Sequence, residues 1–194
     1  MDVDGEIDDL LEDFPSLKSV APFVALASDV RWFRALGEDP DRETVKLARE
    51  YAEALGFPEA EPAFLYDWED AASAAENTEF NSPAWEAEEQ LRAALTDEVL
   101  LAIDGQVLEM VMTHVAQAVT ESIDDAAKEA AEFLLIDDES FVLATSGAAA
   151  QAVYQAALVG MAGEEEEHPL SLRFQLFERG RWPIGIIGNS FLIF

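Results

Sequence analysis

Residues 96–123, TDEVLLAIDGQVLEMVMTHVAQAVTESI, make the longest stretch of the chain that reads as one helix. At about 100° per residue, Leu100, Leu101, Val107, Leu108, Val111, Met112, Val115 and Val119 fill one half of the wheel. Gln106, Glu109, Thr113, Gln117 and Thr120 gather on the other half. An apolar half-cylinder that wide belongs in the middle of a core. Thr96 is a natural N-cap, and Asp97 and Glu98 suit the positive end of the helix dipole. The expectation is a central helix over 96–123 with other helices packed around it.

Asp104 breaks the pattern, because it falls in the middle of the apolar half. A lone carboxylate there would lose solvation or be driven to hold its proton. Three readings stay open. The helix breaks at Asp104-Gly105 and the acid caps the next segment. Alternatively it pairs with an arginine such as Arg31, Arg34 or Arg92. The third reading is a functional carboxylate beside a pocket.

Around this stretch the pattern is helical. Residues 20–36 keep a 3.6 period through Phe23, Leu26, Ala27, Val30 and Phe33, and Gly37 is a stop. A second helix is expected over 40–55, capped by Asp39. A third spans about 62–76, a fourth 83–95 behind the Ser82-Pro83 start, and another reaches from Asp124 to about 136 with Phe133 and Leu134 inward. Residues 140–145 read equally as a short buried strand or the first turns of a helix. Residues 147–161 are helical, with small residues along one side.

The C-terminal stretch differs. Leu170, Leu172, Phe174 and Leu176 alternate with Ser171, Arg173, Gln175 and Phe177, which is strand period. Residues 178–181 supply a turn, and 184–194 are rich in β-branched and aromatic residues. The fold class expected is mainly α: a bundle-like single domain, 1–194, around the central helix, with a C-terminal antiparallel β-hairpin over about 170–194.

Charge constrains function more than any motif does. Forty-one acids against eleven bases give a net charge of −30, and only Lys18, Lys46 and Lys128 are lysines. At molar salt, where the Debye length is ~3 Å, such a surface is largely screened. The composition is similar to that of proteins from salt-accumulating halophiles, which implies a high-salt cytoplasm. Screening accounts for the acids without mimicry of nucleic-acid phosphates. Nucleic-acid binding is not expected, because no basic face exists to neutralise phosphates.

No membrane span is expected, since no charge-free run of about eighteen apolar residues stands out. Residues 1–9 lack the basic region of a signal peptide. The absence of cysteine excludes disulfides, thiolate catalysis and cysteine-ligated zinc. In the acidic segment 1–14, Ile7, Leu10, Leu11 and Phe14 hold helical spacing, either against the chain's own core or toward a partner. Asp2, Asp4 and Glu6 look like the start of a calcium loop, but Ile7 stands where that loop demands glycine.

There is no phosphate-binding glycine loop, HExxH or GxSxG. His114 reads as a half-buried core histidine and His168 as part of a solvated loop. No cofactor, metal site or catalytic residue is implied. From residue 168 onward there are three arginines and one acid, while the rest holds eight bases and forty acids. Arg173, Arg179, Arg181 and Trp182, with Phe191 and Phe194, are therefore the candidate partner-binding residues. The competing reading is that these arginines pair with the chain's own acids and Trp182 fills its own core. The function expected is a non-catalytic protein-binding or assembly protein, its partner another protein or a second copy in a homodimer. The alternative is a small hydrolase or metal-dependent enzyme using Asp104, Glu109 and His114.

Overall fold

The computed structural model describes residues 14–78, 82–164 and 166–194, so the expectations placed on 1–13 lie outside the described residues. After a 3-10 turn at Pro15–Leu17 come α1 (Val20–Ser28), α2 (Arg42–Ala54), β1 (Glu61–Phe64), α3 (Trp68–Asn77) and α4 (Pro83–Ala102). Then follow α5 (Gly105–Leu134), α6 (Glu139–Ala162), α7 (Pro169–Glu178), β2 (Pro183–Ile187) and β3 (Ser190–Ile193). The protein is mainly α-helical with a small C-terminal sheet.

The helix expected over 96–123 is two helices, with a 119° bend between α4 and α5. Ile103 and Asp104 are extended, and Asp104 Oδ1 accepts from Gln106 N at 2.8 Å and Val107 N at 3.0 Å. The acid thus stays in water and satisfies two of the orphan amides at a helix start, which costs far less than burial. The bend also splits the apolar wheel. Leu101, expected inward, is 89 % exposed, while Leu108, Val111, Val115, Val119, Ile123 and Ala127 run as one buried stripe along α5.

That stripe packs on α6, which also touches α1, α4 and α7 and is the real centre of the bundle. Residues 140–145 are its first turns, opened by Asp138, whose side chain accepts from Ser140 N. After Glu139 the helix carries no charge, correcting the expectation that no such run exists. By length and composition it could cross a membrane, and half of its apolar window is buried inside the chain.

Residues 169–178 are a helix, not a strand. His168 Nδ1 accepts from Leu170 N at 3.2 Å, and Pro169 pre-sets the first turn. The strand-like alternation arises because α7 is buried on two sides. Leu170, Phe174 and Phe177 enter the large core with α5 and α6. Leu172 and Leu176 enter a second core with α2, Phe191 and Ile193.

The hairpin is shorter than expected, β2 and β3 turning at Gly188 (φ 59°). A register shift lies between Pro183 and Gly185, and a Cβ on Gly185 would come within 2.8 Å of Thr78 Cγ2. The ribbon does not keep both edges free. Residues 61–64, expected to begin a helix, pair with β3 in parallel from Glu61↔Ser190 to Phe64↔Ile193, giving the order β1-β3-β2. The Phe191–Ile193 stretch is therefore the buried middle strand.

The helix expected over 20–36 stops at Ser28. Beyond it the chain turns so that Trp32 and Phe33, adjacent in sequence, both reach α7: Trp32 lies edge-on to Phe174 and Phe177, and Phe33 edge-on to Phe177. Phe33 adopts φ 58°, a left-handed conformation costing on the order of 1–3 kcal/mol for a bulky residue. Its burial offsets that strain, at about 1.5–3 kcal/mol for a side chain of this kind. The segment is tied down where Ala35 N donates to Gly180 O at 3.1 Å. Only glycine fits at 180, since a Cβ there would approach Arg34 Cγ to 2.5 Å.

Candidate functional site

Five of the six residues expected to meet a partner lie inside the chain. Arg181 donates to Glu38 O at 2.7 Å and Asp39 O at 3.0 Å, with its guanidinium 5.6 Å from the Phe64 ring centroid. Trp182 stacks on Trp68 at 6.2 Å, and Phe191 lies 4.8 Å from Tyr51. Phe194 exchanges two backbone hydrogen bonds with Trp182 and is buried, as is Arg173. Arg179 alone is partly exposed, 3.5 Å from Asp41. The surface expected from these residues is thus an interior one: they are acid-poor because water does not reach them.

Arg173 belongs to a buried polar cluster that sequence reading missed. Its Nη1 is 2.5 Å from Glu88 Oε2, and the Tyr51 hydroxyl donates to Glu88 Oε1. Burial, and then the neighbouring Glu88 charge, push the Tyr51 phenol well above its ordinary value of 10.0. A signal for Glu88 was present. Ala84, Glu88, Leu95 and Val99 share the inward face of α4, so the acid stands where a core residue is due.

The enzyme alternative does not assemble. Asp104 is an exposed helix cap, Glu109 is exposed and His114 half-buried. Five-residue steps on a helix turn about 140° and rise about 7.5 Å, so the three side chains fan out around α5. Among the described residues no group of three or more His, Asp or Glu side chains is placed to hold a metal.

A groove of about 640 Å³ lies between the 30–38 segment and the C-terminal half of α5. The strained Phe33 and Trp32 lie at one wall, and among the described residues the buried Trp32 Nε1 has no hydrogen-bond partner. Arg31 and Arg34 flank them, exposed, with no ion pair among the described residues. Asp125 and Glu129 stand on the α5 wall. At the rim Phe133, expected inward, is 82 % exposed, because the buried stripe of α5 continues through Ala127 toward Leu134 instead. Just past it Leu135, in a left-handed C-cap, is 90 % exposed. Exposed apolar residues are ordinary, and Leu101 and Leu143 are bare elsewhere. Phe133 differs in standing at the rim of a groove, which makes this face the candidate contact surface. No family model matches this chain, and no curated protein or solved structure matches it either.

Proposed function

We propose that this chain is a non-catalytic binding and assembly protein of a high-salt cytoplasm, acting as a homodimer through the groove between the 30–38 segment and α5. The groove is preferred to the C-terminal hairpin as the interface because most of the hairpin's candidate residues are buried within the chain. What supports the reading is that one face carries features able to complement a second copy of itself. One surface holds an apolar hollow, a protruding Phe133, an arginine wall (Arg31, Arg34) and an acidic wall (Asp125, Glu129). A two-fold axis through such a patch sets Phe133 of each copy into the hollow of the other and each arginine wall against an acidic one. The net charge of −30 opposes this in dilute buffer, and molar salt screens the repulsion.

Light scattering over a range of protein concentrations in molar KCl tests the reading. The wild type is expected as a dimer, and Phe133→Asp as a monomer with an unchanged helical circular dichroism spectrum. A wild type that stays monomeric, or a dimer indifferent to Phe133→Asp, would refute it.

A further inference from the structure

A second cleft, distinct from the groove, lies between α4, α6, α7 and β2. Its volume is about 310 Å³, at the small end of the ~300–1,000 Å³ usual for small-molecule sites. Small residues make the room: Ala144, Gly147 and Ala148 follow one face of α6. A Cβ built on Gly147 meets no heavy atom within 4 Å.

The buried ion pair at the cleft leaves N–H donors to spare on its cationic side. Glu88 is engaged at both oxygens, by the Tyr51 hydroxyl and by Arg173 Nη1. Among the described residues the guanidinium of Arg173 makes no other hydrogen bond, although arginine carries five N–H donors in a planar fork. The N-terminus of α4, a 20-residue helix, reaches the same cleft through Ser82 and Ala84. Pro83 has no N–H and Ser82 Oγ already accepts from Trp85 N, so what the helix start adds is the Ala84 N–H and the positive end of its dipole. Trp182 and Ile184 supply an apolar wall. An anion approaching most of this chain meets unpaired carboxylates. Among the described residues the lining holds one, Glu88, and Arg173 already neutralises it.

We infer that this cleft binds a small organic monocarboxylate, its carboxylate on the free edge of Arg173 and the α4 N-terminus, its apolar body against Trp182 and Ile184. This site is independent of the dimer groove and stands or falls separately.

The test is calorimetric titration of the full chain in molar KCl with phenylacetate, indole-3-acetate and 3-methylbutanoate, each against its neutral amide. At least one acid is expected to bind saturably at one site per chain. Its amide should bind about tenfold more weakly or worse, because charge-assisted hydrogen bonds are lost. Gly147→Phe fills the cleft without touching the ion pair and should weaken the acid by a similar factor while the chain stays folded. The paired change Glu88→Gln with Arg173→Met keeps the floor neutral and should abolish the preference for acid over amide. Absence of saturable binding by all three acids, equal binding of acid and amide, or an affinity untouched by Gly147→Phe would each overturn the assignment.

Discussion

Arg173 on α7 and Glu88 on α4 meet at 2.5 Å, 85 residues apart in the chain, with side chains only 9 % and 11 % exposed. The pair joins two helices that each enter both cores, and Tyr51 of α2 completes it. Its net worth over an apolar replacement is small, since desolvation offsets much of the attraction. Breaking it from one side is another matter. Arg173→Ala leaves a buried carboxylate uncompensated and should cost about 3–5 kcal/mol in denaturant unfolding. Glu88→Gln combined with Arg173→Met should recover much of that loss. A single-variant loss well under 1 kcal/mol would mean that water reaches the pair.

The Tyr51 phenol gives the cluster a pH signature. Burial first, then the Glu88 charge, raise its folded-state pKa above the ordinary 10.0. The folded chain therefore holds this proton more tightly than the unfolded one. The resulting stability is complete below about pH 10 and is lost as pH rises beyond it. Tyr51→Phe should be less stable than wild type near neutrality by about 1–3 kcal/mol, because Glu88 Oε1 loses its donor. It should also show a shallower fall at alkaline pH. Parallel curves for the two proteins on the alkaline side would contradict the buried, protonated phenol.

The helices were largely legible because their signals are local. Ser82-Pro83 marked the start of α4, and the apolar stripe of α5 was readable from Leu108 to Val119. What failed depends on distant partners. α7 alternates like a strand only because two cores claim opposite sides of it, and no periodicity argument within ten residues shows that. β1 is a strand because β3, more than a hundred residues later, pairs with it. The break at Asp104 was one of three readings, and sequence could not choose among them because the choice rests on where water is. Of the two readings of the acid-poor C-terminus, a partner surface or the chain's own core, the burial of Trp182, Phe191 and Phe194 follows the second, and that too depends on distant partners.

Asp104 itself offers a discriminating measurement. As a cap accepting from Gln106 N and Val107 N, it should cost about 0.5–2 kcal/mol when changed to alanine. Asp104→Asn and Asp104→Ser should keep most of that stability. A loss of the size expected for a broken buried ion pair would contradict the exposed cap.

His168 caps α7 through Nδ1, so only its neutral ring can do so. Burial lowers its pKa below the ordinary 6.5, and the nearby Glu164 charge offsets this only in part. The folded state thus binds the proton less readily than the unfolded chain. The contribution is complete above about pH 6.5 and is lost as pH falls from there through the lower folded-state pKa. His168→Asn, which caps without titrating, should lessen the fall in melting temperature across that window. A fall identical to wild type would assign acid sensitivity to other groups.

Salt should be the strongest lever on stability. Two of the eleven bases are buried: Arg173 is taken up by the equally buried Glu88, and Arg181 reaches only the few acids around Asp41. Lys46, Arg49, Arg92 and Lys128 each sit beside an acid, but these pairs neutralise only a few of the forty-one. Exposed pairs of this kind are worth at most about 1 kcal/mol and weaken as salt rises. Repulsion among the remaining carboxylates acts the other way, opposing the folded chain until the Debye length shrinks to ~3 Å near 1 M. The melting temperature should therefore climb steeply from low to molar KCl and then flatten. Sucrose at matched osmolarity separates screening from solvent exclusion, since it should not reproduce the climb. A melting temperature level from low to molar KCl would show that this surface folds without screening, and the halophilic reading would go with it.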